Sequence, residues 1–552
     1  MKRTLLTASA LVLTGGLLAG CSAVAATSSA ASESGTNATA VAFTGDLSPS
    51  EVIAANANAT TVNDDEWSDA DAIDVTLSGD SAKSESDAVT VSSGTDSGGT
   101  GAGGTGANVL TISEAGVYRL SGTFDGSVVV AAPDDAQVVL MLDGVTIAND
   151  AGAAIDVQTA DDVALYLIDG SKNSVSDTKT YADDATVNAA IHADSDLTVS
   201  GDGALDVTGN GNDGIVSTDD LVILSGLLSV TAVDDALRGK DALLVEGGTL
   251  DLTATGGDGL KSDQDTDETQ GYVFVSGGTV DITAGDDGVQ AQTDAVVTGG
   301  TLTIAATDDG LKAESIVSIG DGKVTITDSN EGIEASSIGI GGGTVNVTSS
   351  DDGVNGSGLA ATTADASADA SGGAGGGMSD TGERVEITGG TVTVNAEGDG
   401  LDSNGSLTIS GGDVTVYGPT QSGNGALDAN GDLTVSGGTV VAFSGGGMEQ
   451  SPGDSSSLGW VTFSGDIIAG QKVEIVDDSG TTVATATSEK TAGAVTVAGA
   501  DIVSGDTYTL TADGDELGTA TAGEASATQG PGGAGGGMGG GQRPGQAPPT
   551  QG

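Results

Sequence analysis

The feature that most constrains the fold of this chain is a short phrase that recurs through its middle. Each copy has two polar residues, usually acidic, then a small residue and an aliphatic one, as in Asp286-Asp287-Gly288-Val289. The small residues of successive copies are separated by 22, 23, 29, 22, 22, 21, 47 and 26 positions. Self-similarity at such a period indicates stacked units, none of which buries its apolar face alone. The small residues are Gly214, Ala236, Gly259, Gly288, Gly310, Gly332, Gly353, Gly400 and Ala426.

A typical period contains strand patterns and no helical one. A run such as Ala295-Val296-Val297 follows the phrase, and Gly299-Gly300-Thr301 opens another. Three short strands with turns close one coil, and coils about 4.8 Å apart form a parallel β-helix. The sequence therefore predicts an all-β solenoid with ~22-residue coils and turn glycines at positive φ angles, whereas a sandwich does not explain the constant period. The aliphatic residues expected to point inward are Ile215, Leu237, Leu260, Val289, Leu311, Ile333, Val354, Leu401 and Leu427.

The net charge excludes two classes of partner. The chain has 80 acidic residues against 15 basic ones, a formal net charge of −65. This charge repels nucleic acid and anionic lipid and favours cations as partners. The 37% of hydrophobic residues recur periodically, which distinguishes the chain from disordered acidic proteins. A solvated acidic surface accounts for part of the charge without any ligand.

The first 21 residues have the pattern of an export signal. Lys2 and Arg3 precede an apolar stretch that is too short for a transmembrane helix, and the stretch ends in Leu18-Ala19-Gly20-Cys21. This ending resembles the bacterial lipobox, whose cysteine is lipidated and becomes the first residue of the mature protein. Cys21 is the sole cysteine, so no internal disulfide forms. We expect an outward-facing lipoprotein of the bacterial cell membrane; an ordinary secretory signal cleaved nearby is the alternative.

Composition divides the rest of the chain. Residues 22–62 are rich in Ser, Ala and Thr and predict a flexible tether. Residues 63–450 form the β-helix, interrupted by a disordered Gly-rich loop at about 356–382. Residues 455–523 predict a small antiparallel β cap that covers the exposed end of the solenoid. The Gly/Pro-rich tail 527–552 is expected to be disordered.

Stacking in register places one acid of each phrase in a single row. Two unit charges about 4.8 Å apart repel by roughly 0.9 kcal/mol in water, and by about 3.5 kcal/mol at an effective dielectric of 20. Splayed side chains, protonation or bound cations are the three ways to relieve that repulsion. The row contains Asp235, Asp258, Asp287, Asp309, Glu331, Asp352 and Asp399.

A second column, two positions after each small residue, changes sign along the chain. It is basic at first and becomes acidic towards the C-terminus: Arg238, Lys261, Gln290, Lys312, Glu334, Asn355, Asp402 and Asp428. Calcium suits the uncompensated acids because it accepts six to eight oxygen ligands in flexible geometry. The long 29-residue step adds acids at alternate positions, although it lacks the glycine of an EF-hand. We predict calcium ligands at Asp235, Asp258, Asp263, Asp265, Asp267, Asp287 and Asp309; salt bridges with solvated acids are the alternative.

Catalytic chemistry has little support in the residues, and no catalytic residue is assigned. His192 is the sole histidine, which argues against Ser/His/Asp machinery and against histidine metal sites. Paired carboxylates could hydrolyse glycosides, but they recur on nearly every coil and so indicate turn chemistry. A β-elimination lyase would need calcium and a basic residue such as Arg238, Lys261 or Lys312.

Several ordered motifs resemble a family of bacterial carbohydrate-binding β-helix proteins that was once known only as a domain of unknown function. The resemblance covers roughly residues 63–450, and the C-terminal cap is also similar. It implies a right-handed parallel β-helix like that of pectate lyases, bound calcium, and non-catalytic binding of plant cell-wall polysaccharide, including acidic pectin-like sugars. The motifs are Val117-Tyr118-Arg119-Leu120-Ser121-Gly122-Thr123, Leu142-Asp143-Gly144-Val145-Thr146-Ile147, Ala189-Ala190-Ile191-His192, Ala236-Leu237-Arg238-Gly239-Lys240-Asp241 and Gly257-Asp258-Gly259-Leu260-Lys261-Ser262.

The expected function is therefore that of a monomeric, non-catalytic polysaccharide binder with bound calcium on the cell surface. Its expected carbohydrate contacts are Arg238, Lys261, Lys312 and Asn355. Aromatic residues are only 2% of the chain, and Trp67 and Trp460 lie towards its ends, so aromatic stacking on sugars is not expected along the repeats. A polysaccharide lyase and a purely structural surface rod or adhesin are the alternatives.

Overall fold

The computed structural model describes residues 47–92, 107–182, 185–358 and 379–524. Successive coils pair in parallel, as in the ladder that joins Leu237 to Leu260 and Leu260 to Val289. This pairing confirms the predicted parallel β-helix. Each regular coil contributes one strand to each of three faces, which we call the first, second and third face in chain order.

The bounds of the strands show how short each face is. The first-face strands are Ile155–Thr159, Ala189–Ala193, Asp213–Ser217, Leu237–Gly239, Leu260–Ser262, Val289–Ala291, Leu311–Ala313, Ile333–Ala335, Val354–Gly356 and Leu401–Ser403. The second-face strands are Asp162–Leu167, Asp196–Gly201, Asp220–Ile223, Ala242–Val245, Tyr272–Val275, Asp294–Val297, Ile316–Ile319 and Ser337–Ile340. The third-face strands are Lys172–Ser176, Ala204–Gly209, Leu227–Ala232, Thr249–Ala254, Thr279–Ala284, Thr301–Ala305, Lys323–Asp328 and Thr344–Ser349.

Longer strands build the two ends of the solenoid. Near the C-terminal end, single strands run through the second and third faces, namely Arg384–Ala396, Ser406–Tyr417 and Leu433–Ser444. The N-terminal end consists of Ile73–Gly79, Ser81–Lys83, Val89–Ser92, Asn108–Ile112, Gly116–Ala131 and Gln137–Ala148.

The interior is a continuous aliphatic core. All nine inward residues predicted from the repeat, from Ile215 to Leu427, are at most 2% exposed. Burying one such side chain contributes about 1.5–3 kcal/mol, so stacking supplies the stability that a chain without internal disulfides requires.

Glycine has two separate uses in each coil. In the Gly-Gly-Thr openings the second glycine, such as Gly300 at φ +76°, adopts the left-handed conformation. The glycine of the acidic phrase does not: at Gly259 a Cβ atom would lie 2.3 Å from Ile282 Cγ2 and 2.7 Å from the Gly288 carbonyl oxygen. The prediction that turn glycines serve positive φ angles is wrong for this second group, where close packing of neighbouring coils excludes a side chain.

Residues 47–67 form a strap that lies along the second face. Leu47, Val52 and Val62 are at most 2% exposed, and the strap includes a helix, Pro49–Ala55, which the sequence did not predict. Ser318 Oγ donates to the Leu47 carbonyl oxygen (2.6 Å), and the Val62 N–H donates to Thr198 Oγ1 (3.0 Å). The tether predicted for residues 22–62 is therefore wrong for 47–62, because their apolar side chains bury against the solenoid.

The strap crosses second-face strands in reverse order, and the insertion in the long coil helps to hold it. Tyr272 Oη donates to the Ala57 carbonyl oxygen (2.8 Å), and the Ala57 N–H donates to the Thr269 carbonyl oxygen of the insertion (2.7 Å). At the C-terminal end of the strap, the ring of Trp67 packs edge to face on that of Tyr166, with ring centroids 4.8 Å apart. A short 3-10 helix, Asp69–Asp71, follows.

The predicted antiparallel cap is confirmed. Its strand Ala492–Gly499 pairs antiparallel with the last coil strand, Leu433–Ser444, and with Gly459–Ile467. The remaining strands form a four-stranded antiparallel sheet in the order Thr482–Thr487, Lys472–Asp477, Thr507–Ala512 and Asp515–Thr521. The end of the solenoid is thus covered rather than left as an open edge.

Several sequence predictions fall outside the described residues. They are the lipoprotein signal 1–21 with Cys21, the tether up to residue 46, most of the loop at 356–382, and the tail 527–552. Within the described ranges, no helix has the length and hydropathy needed to span a bilayer.

Candidate cation and glycan site

The predicted row of acids exists, and hydrogen bonds connect its members. We call it the acid ladder: Asp213, Asp235, Asp258, Asp287, Asp309, Glu331, Asp352 and Asp399. The N–H of Asp258 donates to Asp235 Oδ1 and the N–H of Asp287 donates to Asp258 Oδ1, both at 2.9 Å. Corresponding bonds join Asp235 to Asp213, Asp309 to Asp287, Asp399 to Asp352, and Gly425 to Asp399. In the aspartates that accept these bonds, one carboxylate oxygen therefore holds the next coil, and the other is left to meet a positive charge.

Burial makes the ladder electrostatically expensive when it is ionised. Loss of water contact, with neighbouring acids adding to it, raises the pKa of Asp213 to about 7. Burial likewise raises the pKa of Asp287 and of Asp399 to about 7 and that of Asp235 to about 6. Burial, with repulsion between neighbouring acids as a smaller cause, therefore disfavours the ionised ladder, and a positive charge or a proton offsets that cost.

In the N-terminal half of the ladder, basic side chains of the second column supply that charge. Lys261 Nζ lies 2.8 Å from Asp258 Oδ2 and 3.2 Å from Asp235 Oδ2. Burial alone would lower the pKa of Lys261, but the two carboxylates more than offset it and raise that pKa above its ordinary value. An ammonium group thus lies between the carboxylates of two successive coils.

Two more basic residues repeat this arrangement. Lys312 Nζ lies 2.7 Å from Asp309 Oδ2 and 3.3 Å from Glu334 Oε2. Arg238 Nη2 lies 2.5 Å from Asp263 Oδ2, and its Nη1 lies 3.9 Å from Asp213 Oδ2. Of the residues predicted to bind calcium, Asp235, Asp258, Asp263 and Asp309 are therefore engaged by the protein's own cations.

The structure does not bring the three acids of the insertion together. Asp263 faces Arg238, whereas Asp265 is exposed. Asp267 Oδ1 accepts from the Thr269 N–H (3.0 Å) and Oγ1 (2.8 Å), which lowers its pKa. Their alternate spacing reflects loop structure, and the loop contacts the strap through Thr269.

Asp287 is the remaining predicted ligand, and it lies in a different setting. Its carboxylate is near those of Asp286 and Asp308, with one oxygen of each within 4.8 Å of the others. Asp286 is exposed to solvent, and Asp308 is half-buried. Lys312 also acts on Asp287 and works against the rise in its pKa. This trio is consequently more hydrated and better compensated than the acids at the end of the ladder.

The C-terminal end of the ladder carries three acids that the predicted ligand list lacked. Oxygen atoms of Asp399, Asp402 and Asp428 lie within 4.8 Å of one another, and we call these residues the terminal trio. None of the three is in an ion pair with any residue that the structure describes. Burial, together with the neighbouring carboxylates, raises the pKa of Asp399 and of Asp402 to about 7. Gln450 Nε2 donates to Asp428 Oδ1.

An amide oxygen beside the terminal trio lacks a partner. Asn355 is 8% exposed and pairs in register with Asp402 of the next coil. Its Nδ2 donates to Glu331 Oε2 on the preceding coil (2.9 Å), and its Oδ1 is buried without a hydrogen bond. A buried carbonyl oxygen without a donor is costly, and a cation between Asn355 and the trio would satisfy it. The feature of the sequence that could have indicated this site was the change of the second column from basic to acidic residues.

The residues predicted to contact carbohydrate lie in one column of the first face. Arg238, Lys261 and Lys312 are 24–29% exposed and already bind carboxylates, so each could offer a glycan only its remaining donors. His192, at 2% exposed, lies in the same column with Nδ1 3.4 Å from Asp156 Oδ1. The column is therefore continuous from His192 to Asp402, and it changes from basic to acidic along the chain.

Comparisons with known proteins agree with the motifs. Residues 106–363 match the family described as carbohydrate-binding domain-containing protein. A protein of that description from Acetivibrio thermocellus is 38% identical over 186 residues, which are 33% of this chain and 64% of that relative. A solved structure described as the polysaccharide lyase-like protein from C. thermocellum, gadolinium derivative, is 30% identical and covers 46% of this chain and 99% of its own, with a TM-score of 0.42. The family match and the Acetivibrio relative confirm the resemblance: over residues 106–363 this chain is similar to the carbohydrate-binding domain-containing proteins.

Proposed function

We propose that this chain binds polysaccharide without catalysis, and that a calcium ion held by the terminal trio bridges it to an acidic, pectin-like glycan. The family match supports glycan binding in general. The observation that carries the calcium proposal is the contrast along one ladder. Where Lys261 or Lys312 stands between carboxylates no ion is needed, whereas at Asp399, Asp402 and Asp428 none of the described residues supplies such a base.

The chemistry of the terminal trio suits calcium. Calcium takes six to eight oxygen ligands, including monodentate or bidentate carboxylates and amide carbonyls. The three acids and Asn355 Oδ1 supply part of such a shell, and water or a uronate carboxylate would complete it. Since the chain carries a formal charge of −65, a polyanionic glycan requires a bridging cation to approach it. The trio lies beyond the segment that matches the family, so the chain's own geometry carries this assignment.

The state of the basic residues favours binding over catalysis. A lyase needs a base that is free to accept a proton, but neighbouring carboxylates overcome the effect of burial and raise the pKa of Lys261 and of Lys312. Both side chains therefore stay protonated at neutral pH. His192 is buried beneath the surface and cannot meet a polymer.

The cellular setting belongs to the same proposal. Lipidation at Cys21 would anchor the chain to the outer side of a bacterial cell membrane, and its residues Leu18-Ala19-Gly20-Cys21 support that assignment. The cap covers one end of the solenoid, which favours a monomer over end-to-end association.

Depletion of the chain from solution by immobilised polygalacturonate tests the proposal. The chain from residue 22 onward is expected to be retained in calcium and released by chelator. Asp402→Asn should abolish calcium-dependent retention, whereas Asp265→Asn, a change at an exposed acid of the insertion, should leave it intact. Retention that ignores both calcium and Asp402 would refute the bridging ion.

The alternatives give separate outcomes in the same assay. Release of unsaturated uronate products into solution would identify a lyase. Absence of retention in either buffer would leave neutral glycans or the structural rod, and calcium binding detected by titration would then have only a stabilising role.

A further inference from the structure

A groove of about 480 Å³ lies on the third face, away from the acid ladder. It crosses the strands Lys172–Ser176, Ala204–Gly209, Leu227–Ala232 and Thr249–Ala254, which pair in register. We call it the Leu227 groove. Its volume is in the range of small-ligand sites.

The shape of the groove follows from one row of side chains. Lys172, Ala204 and Leu227 are register partners on three successive coils. The short side chain of Ala204 leaves a depression between the long side chains of Lys172 and Leu227. Leu227 is 54% exposed, whereas most large apolar side chains of the described residues are buried. The depression therefore has an apolar wall on one side and an ammonium group on the other.

The next outward row supplies polar groups. Asp206, Ser229 and Asp251 are register partners beside the depression and line the same groove. Among the described residues, no hydrogen bond or ion pair engages the side chains of Lys172, Asp206 or Asp251. This differs from the acid ladder, where each aspartate accepts a hydrogen bond from a backbone N–H or forms an ion pair with a basic side chain.

We infer that the Leu227 groove is a second, calcium-independent subsite that accepts a neutral pyranose unit of a polysaccharide. The C–H face of the sugar ring packs on Leu227, and carboxylates of Asp206 and Asp251 accept hydrogen bonds from its hydroxyls. Lys172 donates to a ring or hydroxyl oxygen. A uronate unit is disfavoured because two carboxylates face one ammonium group, so the groove and the terminal trio select sugars of different charge.

This inference rests on the proposed function in one respect, that the ligand is a glycan. The two sites are otherwise independent, since the groove needs no metal and lies on another face. A polysaccharide with alternating neutral and acidic stretches could then contact the solenoid at two places, which increases avidity without any new contact.

Calorimetric titration in chelator tests the inference on the chain from residue 22 onward. The probes are short neutral oligosaccharides of glucose, mannose and galactose, with oligogalacturonate as the acidic comparison. We expect at least one neutral probe to bind and oligogalacturonate not to bind. Leu227→Asp and Asp206→Asn should each weaken binding by about tenfold or more. Ile468→Asp, a change at another exposed apolar residue on the cap (62% exposed), is the matched control and should change nothing.

Two results would overturn the inference. One is the absence of binding by every neutral probe, and the other is binding that survives both groove variants. Thermal unfolding of each variant shows whether it is folded, and Asp206→Asn, which preserves shape, remains informative if Leu227→Asp is unstable. Calcium-dependent retention on polygalacturonate is measured separately, so the failure of one site does not decide the other.

Discussion

The two halves of the acid ladder share one backbone geometry and differ in where their positive charge comes from. Around Asp235 and Asp258, Lys261 is built into the fold as a fixed counter-ion. Around Asp399 and Asp428, the same column offers Asp402, which adds a negative charge. A coil can therefore keep its hydrogen-bonded acid while the residue in the second column changes. With a lysine there the coil neutralises its own charge, and with an aspartate it requires a cation.

Removing the built-in counter-ion should have the largest effect. Lys261→Met leaves Asp235 and Asp258 buried and uncompensated, and we expect it to lower the free energy of unfolding at neutral pH by about 2–4 kcal/mol. Calcium should restore part of the loss if the vacated position accepts an ion. The measurement is chemical denaturation with and without calcium. Lys323→Met, at an exposed lysine of the third face, is the control and should be nearly neutral.

The opposite exchange should remove the need for an ion. Asp402→Lys places an ammonium group where Lys261 stands in its own coil, between the acids of adjacent coils. Calcium at a hundred times its dissociation constant stabilises a one-site protein by about 2.7 kcal/mol, and we expect this variant to lose that stabilisation. Thermal unfolding across a calcium series measures it. The control is Asp265→Lys, in which the calcium-dependent rise in Tm should persist. If that rise also persists in Asp402→Lys, the ion lies elsewhere.

The effect of calcium on the pH dependence of stability distinguishes the halves without mutation, because burial raises the pKa of Asp213 and of Asp287 in the first half as well. Burial raises the pKa of Asp399 and Asp402 from 3.8 to about 7, so these groups favour the folded state when protonated. In chelator, Tm should therefore rise as pH falls from about 7 towards 4, and fall as pH rises through 7. Calcium should flatten the curve near pH 7 by stabilising the ionised trio. A Tm that is independent of pH over this window, with and without calcium, would contradict the assignment.

The smallest effect is expected in the insertion. Asp267 is exposed and bonds only within its own loop, to Thr269. Asp267→Asn should leave both Tm and calcium affinity unchanged within error. A clear drop in calcium affinity measured by titration would restore the insertion as a metal site and weaken the distinction between the two halves.

The sequence could predict what depends on register. Because the period is constant, Leu260, Val289 and Leu311 were expected to face one core, and the acids that precede them were expected to lie in one row. Both expectations are confirmed. It could not predict which acids are free, since that depends on how far a side chain such as Lys261 reaches across coils. The acids at 263, 265 and 267 have the spacing of a metal-binding loop but do not come together. The acids of the terminal trio come together although they belong to two successive coils.

The strap shows a second limit. Its Ser/Ala/Thr composition is typical of a linker, yet three well-spaced apolar residues, Leu47, Val52 and Val62, are buried against the solenoid and dock it there. Local composition is an average over such a segment, and it carries no information about contacts with strands more than a hundred residues away. The bond between Ser318 and Leu47, for example, spans 271 positions.

That long-range contact changes how the solenoid can assemble. Repeats that touch only their neighbours can grow or fray one at a time. The strap instead ties the coil of Tyr166 to the coil of Ser318 through bonds at Thr198 and Tyr272. Although it is synthesised before every coil it covers, it can dock fully only after residue 318 has folded. The earliest segment of the body is thus the last to close, and it turns a one-dimensional stack into a single cooperative unit.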